Sequence, residues 1–566
     1  MSTATTADPT EPTIGIDPRF EAKYQTIRSL FFSRDQKLWP CFAEPWFKNI
    51  IDFRKRNLNP SERIDAYPQG GLLRNRIEQA ADIPVHFTPP GHQTDHTLEF
   101  AAALSKDWEN PACVENVITM PCDPAIYGSM LGCLANANLV YKEYAGMAND
   151  LEKCVVRQIA NLAGYDPAQA TGFFTQGGTF CNLYGYLLGI RKSLPETRRH
   201  GMGSNHDYRM INSLGGHYSN ITNLSLLGVD ITSKTIRIQI TKNNDIDIND
   251  LENQLSACFQ LNCKVPTIML TMGTTDTFGV DQVKPVYDLR NRLCEKYDIR
   301  VKPHIHVDSA IGWTMLFFLH YDFDANPLHI NPETLAGLRE NARLFRDLKY
   351  ADSFTVDFQK WGYVPYTSSL VMFKDQHDLK YLENDPENFS YFEKEAQGLS
   401  HLQSTIECSR GAAGAFGAYS ALQYMGVEGY QLAIAHCLQN ANYFRHRLRE
   451  LKFVKIMAMQ NQGPSVGFRI YRPDLDGTAE SEYEYQIQDS AEYLDRLERN
   501  NRWHRQLFLN RGKVGLFTNW VEFIAHTSYD DKGRTHKLPG EKVVFMNPVT
   551  TRKEIDTFVA NICPGA

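Results

Sequence analysis

Four short segments carry residue types that could do chemistry, and their order along the chain matters more than any one of them. The first is FTQGGTFCN at residues 174–182, a glycine turn that follows an apolar run and opens a helical pattern through Leu183, Leu187 and Ile190. Glycines let a backbone come close to a ligand, and a helix N-terminus offers unsatisfied N–H groups and the positive end of the helix dipole, which suits a phosphate. Thr179 adds a hydroxyl. The pattern is neither a Walker loop nor GxGxxG, and alone it also fits an ordinary capped turn. The second segment is HIHVDSA at 304–310, where Asp308 ends an apolar strand at the edge where α/β sheets place ligand groups. An aspartate capping the next helix looks the same in sequence. The third is SFTVDFQKWGYVPY at 353–366. Burial of Lys360 would lower its pKa, and a neutral amine forms a Schiff base with an aldehyde; a lysine that snorkels to solvent is the alternative. The fourth is GHYS at 216–219, where His217 could stack on a planar ring, move a proton, or simply satisfy hydrogen bonds.

Taken together these segments supply a phosphate cradle, a flat partner, a carboxylate on a strand end and a lysine. Pyridoxal 5′-phosphate needs all four: a phosphate site, a group over the ring, a carboxylate for the pyridine nitrogen and an amine for the aldehyde.

The chain resembles the group II pyridoxal-phosphate-dependent decarboxylases of fold type I, and within them the bacterial tyrosine decarboxylase branch. The resemblance runs from about Tyr127 to about Gly429 and rests on six stretches in the family's order. They are ANAN at 135–138, GGTFCN at 177–182, HYS at 217–219, GTT at 273–275, HVDSA at 306–310, and Lys360 with Gly362, Pro365 and Tyr366. It implies that Gly178 and Thr179 hold the phosphate, that His217 stacks on the ring, and that Asp308 pairs with the ring nitrogen. It further implies that Ala310 packs on the opposite face, Thr274 lies near the ring substituents, and Lys360 carries the cofactor. Tyr366 matches a tyrosine near the substrate that can act as proton donor, with His217 second. Asn138 matches a position at the substrate entrance, and ECSR at 407–410 a stretch near the cofactor at a dimer interface. Gln359 stands where the family usually has a phosphate-contacting histidine; glutamine donates a hydrogen bond but carries no charge, so phosphate affinity and pH profile are expected to differ. Ile311, Phe180 and Cys181 depart from the usual residue types as well.

The elements that must position these residues follow from periodicity. Short apolar runs at 172–175, 209–213, 236–240, 267–272, 304–307, 353–356 and 370–373 alternate with helical segments, which implies βαβ units and a mostly parallel sheet. One or two helices are expected between Tyr127 and Leu162. The expected fold is therefore α/β, and the resemblance implies that it is of the fold type I transferase-like kind. Residues 1–110 are expected to form a disordered tail and an N-terminal helical arm (Phe20, Tyr24, Ile27, Phe31), 111–425 a large cofactor-binding domain, and 426–566 a smaller C-terminal α/β domain.

The 566 residues are 42% hydrophobic and 22% charged with a net charge of −7, the profile of a globular protein and not of a dedicated nucleic-acid binder. The twelve cysteines form no CxxC pair; reduced thiols point to the cytoplasm. No signal peptide and no membrane span are expected. The resemblance implies decarboxylation of an aromatic, tyrosine-like L-amino acid through a Lys360 Schiff base, by a homodimer. Rival readings are another pyridoxal-phosphate carbon–carbon lyase, an oxygen-dependent conversion of an amino acid to an aldehyde, and a decarboxylase-like scaffold without turnover. A metal site built on His92 with His96, or on His304 with His306, is a further rival; the first pair lacks the glutamate of HExxH.

Overall fold

A computed structural model of the chain describes residues 15–28, 106, 108–203, 207–384, 401–472, 477–486, 491–522 and 538–563. All seven apolar runs form strands of one sheet: β1 (Thr171–Thr175), β2 (Met210–Ser213), β3 (Thr235–Ile238), β4 (Thr267–Thr271), β5 (His304–Asp308), β6 (Ser353–Asp357) and β7 (Ser369–Phe373). Their order is β1-β7-β6-β5-β4-β2-β3. The pairs from β3 through β2, β4 and β5 to β6 are parallel, and β7 runs antiparallel to β6 and to β1. Every residue of β4, β5, β6 and β7 is buried, because helices cover both faces. Such strands read as continuous apolar runs and not as alternations.

The longer helices among the described residues are α1 (Pro18–Arg28), α2 (Asp123–Ala135), α3 (Ala148–Ala163), α4 (Gly178–Ser193), α5 (Ile248–Gln260), α6 (Val283–Lys296), α7 (Pro332–Phe345), α8 (Ala413–Arg449), α9 (Ala491–Arg511) and α10 (Arg552–Ala560), with shorter helices between them. Helix α4 lies against the middle of the sheet on one face built from Gly178, Asn182, Gly185 and Gly189, spaced 4, 3 and 4 residues apart as helical geometry requires. A Cβ on Gly185 would fall 2.3 Å from the His306 ring, and one on Gly189 would fall 2.1 Å from the Thr267 hydroxyl. Only glycine permits this approach. Helix α8 breaks at Gly426, whose φ of 59° and ψ of −172° are non-helical.

A second, antiparallel sheet follows, with order β10-β11-β9-β8. Its strands are β8 (Val454–Ile456), β9 (Ser465–Ile470), β10 (Asn519–Val521) and β11 (Gly540–Val544). Phe444 of α8, Phe468, Phe545 and Phe558 of α10 fill its core. Of the expected N-terminal arm, α1 is the described part. Phe20 and Tyr24 are buried, and Tyr24 stacks on His436 of α8 with ring centroids 4.1 Å apart. Phe31 and the pair His92 and His96 lie outside the described residues.

Three histidines in this core predict how the fold responds to acid. Burial lowers the pKa of His304 to about 3 and those of His306 and His436 to about 4. An unfolded histidine titrates near 6.5, so between that value and 4 the unfolded chain binds more protons. Stability is fully present above pH 6.5 and is lost as pH falls. One such shift corresponds to about 3 kcal/mol. Denaturant titrations at pH 7 and pH 4 should differ by at least that amount; equal midpoints would show that these rings are charged or exposed in the fold.

Candidate active site

Strands β2, β4, β5 and β6 are parallel, so the loops after them leave the sheet at one edge, the place where α/β proteins bind ligands. The loop after β2 brings His217, the loop after β4 brings Thr274, the end of β5 brings Asp308 and Ala310, and the loop after β6 brings Lys360. All five residues, with Tyr366, line one cavity of about 470 Å³.

Asp308 is buried. One carboxylate oxygen accepts from the Ala310 N–H at 3.1 Å and the other from the Asn182 amide at 2.8 Å. His217 accepts at Nδ1 from the Ser219 N–H at 3.2 Å, with the Ser219 hydroxyl 2.8 Å away, so its proton sits on Nε2. Burial lowers the pKa of His217, although Asp308 works against that, and the ring is neutral near pH 7. The Thr274 hydroxyl is engaged by its own loop, accepting from the Gly279 N–H at 2.7 Å and from Asn244 at 3.2 Å.

Lys360 differs from the sequence expectation in one respect. Burial does oppose its charge, but the Asp357 carboxylate, 3.0 Å from Nζ, and Asp308 together outweigh burial and raise its pKa. The amine is a paired ammonium, so a proton must leave it before it can act as a nucleophile. Tyr366 is 55% exposed at the cavity mouth. Desolvation raises its phenol pKa more than Lys360 lowers it, so the hydroxyl keeps its proton.

Other expected residues stand elsewhere. Gly178 and Thr179 open α4 but do not line the cavity. A Cβ on Gly178 would lie 2.6 Å from an Asp357 oxygen, and Thr179 is exposed, its carbonyl accepting from Asn223. The Gln359 amide turns toward the start of β7: it donates to the Ser369 hydroxyl at 2.7 Å and accepts from the Ser368 N–H at 2.6 Å. Ser369 in turn donates to Asp357 at 2.5 Å. Asn138 is not among the cavity's lining residues; it binds Ser409 and the Arg410 N–H. Glu407 bonds to Tyr184, and Arg410 forms a buried ion pair with Glu152. The alternation of His304 and His306 does put both on Ser353, 2.7 Å from each ring. They bond to hydroxyls there, and among the described residues no group of three or more metal-ligating side chains forms.

Sequence reasoning missed Lys542. It reaches the cavity from β11 and pairs with Asp276 at 2.6 Å. Nothing local in its strand marks it, because the cavity lies on the other sheet. Asn182 sits inside the GGTFCN segment and received no role of its own; its place on the glycine face of α4 was the available signal.

A carboxylate, a neutral imidazole, a lysine amine and a small alanine around one cavity fit the ring end of pyridoxal phosphate. Fold and site thus define an α/β protein of the fold type I class with a pyridoxal-phosphate site. The family model described as the pyridoxal-dependent decarboxylase conserved domain matches residues 99–471, well over half of the chain, and the chain belongs to that family. It is 24% identical over 289 residues to an L-tyrosine/L-aspartate decarboxylase of Methanocaldococcus jannaschii, covering 51% of this chain and 63% of the relative. It is 23% identical over 394 residues to an aspartate 1-decarboxylase of Aliivibrio fischeri, covering 65% and 66%. The matches thus span just under two thirds of these curated relatives. The crystal structure of mouse CSAD superposes with a TM-score of 0.70 at 16% identity, over 92% of this chain and 98% of that one, a likeness of fold. Among the described residues no helix is long and apolar enough to cross a membrane.

Proposed function

We propose that the chain is a pyridoxal-phosphate-dependent carboxy-lyase that converts an aromatic, tyrosine-like L-amino acid to its amine and carbon dioxide. The observation that carries this reading is the convergence of Asp308, His217, Ala310 and Lys360 on one cavity. When bound, pyridoxal phosphate supplies an electron sink for the bond that breaks. Asp308 holds a proton at the ring nitrogen, since a carboxylate beside a cation raises its pKa. His217, neutral and with its proton on Nε2, would cover one ring face and Ala310 the other. Lys360 would supply the amine that anchors the group, after passing its proton to the Asp357 carboxylate 3.0 Å away. Tyr366 holds the proton destined for Cα. The family resemblance would give the phosphate to Gly178 and Thr179, although both stand outside the cavity lining and the amide of Gln359 is turned toward β7.

The test is product analysis by mass spectrometry of protein loaded with pyridoxal phosphate and offered the common L-amino acids. Tyramine is expected. An aldehyde with ammonia would replace the reading by oxidative chemistry, and no product would favour a scaffold without turnover.

Lys542 favours a second reading for the substrate. Its ammonium on the cavity wall, paired with Asp276, can accept a side-chain carboxylate as a partner, as an aspartate-like substrate requires. Both tyrosine and aspartate appear in the name of the archaeal relative. If acidic substrates are used, Lys542→Met lowers kcat/KM for them by about tenfold or more, the worth of a charge-assisted hydrogen bond, and leaves tyrosine nearly unchanged. An equal fall for both would remove Lys542 from substrate selection.

A homodimer belongs to the same proposal. Leu131, Leu134, Tyr144 and Met147, on α2 and just after it, are large apolar side chains exposed to solvent, as an interface requires. A monomer in analytical ultracentrifugation at micromolar concentration would refute it. The division into 1–110, 111–425 and 426–566 rests on the two separate sheets and the break at Gly426; limited proteolysis would test it. A cytoplasmic location is supported by the absence of disulfides among the described cysteines, and cell fractionation would check it.

A further inference from the structure

The carboxylate of Asp308 is not held by its own strand alone. Asn182, one turn into α4, donates its amide N–H to Asp308 Oδ2 at 2.8 Å. Its Oδ1 accepts from the Thr355 hydroxyl at 2.8 Å and lies 3.2 Å from His306 Nε2. These contacts fix which way the amide faces, because a flipped carboxamide would set its carbonyl oxygen against the carboxylate and its NH2 against the donors. The donors are themselves ordered. Thr355 has a single proton and gives it to Asn182, so it must accept from His306 Nε2, 3.0 Å away. His306 Nδ1 then accepts from Ser353 at 2.7 Å. Burial keeps His306 neutral, which this arrangement requires. Asn182, His306 and Thr355 are all buried, and Gly185, one turn further along α4, lets the helix settle directly on the His306 ring.

We propose that Asn182 is a positioning residue for the cofactor's ring-nitrogen partner: it fixes the rotation of the Asp308 carboxylate so that an oxygen faces the cavity. The inference rests on the reading of the cavity as a pyridoxal phosphate site. Without the amide donor, Asp308 Oδ2 loses that anchor and the carboxylate can turn about its Cβ–Cγ bond. The penalty should then fall on ligands that present a ring N–H to Asp308 and not on those that lack one.

The experiment compares equilibrium binding of pyridoxal phosphate with binding of its 1-deaza analogue, in which carbon replaces the ring nitrogen. Full-length wild type, Asn182→Ala and Thr355→Val are titrated by absorbance. Asn182→Ala is expected to bind pyridoxal phosphate about tenfold more weakly, the effect of a lost charge-assisted hydrogen bond, and the analogue equally well. Thr355→Val, which leaves the amide oriented by His306 Nε2 alone, is expected to show the same selective loss to a smaller degree, and it answers the question if Asn182→Ala does not fold. Equal weakening for both ligands would make Asn182 a packing residue only. Unchanged binding of both would also overturn the proposal. Failure of the wild type to develop a visible band that depends on Lys360 would instead overturn the reading of the cavity, and the inference with it.

Discussion

Replacement of Lys360 by alanine is expected to lower product formation by at least about 10³-fold and to abolish the visible absorbance of protein-bound pyridoxal phosphate, with the fold retained. The size follows from removing a nucleophile that no neighbour can replace. Lys360 reaches the cavity from the loop after β6; Lys542 enters from the second sheet and is engaged with Asp276. The fold should survive because Asp357, though buried, keeps the Ser369 hydroxyl at 2.5 Å when its ammonium partner is gone. The informative companion is Lys360→Arg. Arginine keeps the positive charge beside Asp357 but cannot lose its proton to become a nucleophile. If the lysine acts only as a charge, Lys360→Arg should retain activity. If it acts covalently, both variants should be equally inactive. Comparable rates for wild type and Lys360→Arg would end the covalent reading.

The sheet was legible because parallel strands covered on both faces appear as uninterrupted apolar runs. All seven runs became strands, with ends displaced by a residue or two, as where β3 stops at Ile238. The site was legible wherever a residue follows a strand directly, because the parallel order sends His217, Asp308 and Lys360 to one edge; Thr274 came from the family resemblance alone. Direction was not legible. The sequence shows Asp357 three residues before Lys360, but not that its carboxylate folds back onto the amine and reverses the effect of burial. It shows an amide at Gln359, but not that Ser368 and Ser369 turn it toward β7. Lys542 was out of reach altogether, since its place on the cavity depends on how the second sheet docks against the first.

The largest effect on stability is expected at Arg410, whose stretch resembles one near the cofactor at a dimer interface. Its guanidinium meets the Glu152 carboxylate at 2.6 and 3.3 Å, and both side chains are only 2% exposed. The same guanidinium donates to the carbonyls of Phe174 and Leu139, and Glu152 accepts from the Phe174 N–H. The pair therefore joins α3, the edge strand β1, the segment after α2 and the approach to α8. Arg410→Met would leave a carboxylate buried without a counter-charge and two carbonyls without donors. Breaking such a pair from one side costs about 3–5 kcal/mol, a large part of the 5–15 kcal/mol that stabilises a typical domain. The double variant Glu152→Leu with Arg410→Met removes both charges together. It should recover part of that loss, because a buried ion pair and an apolar pair of similar volume are nearly equivalent in free energy. Denaturant melts of the three proteins read the difference directly. A loss below about 1 kcal/mol for Arg410→Met would mean that water reaches Glu152, and that the junction is held by its backbone contacts instead of by charge.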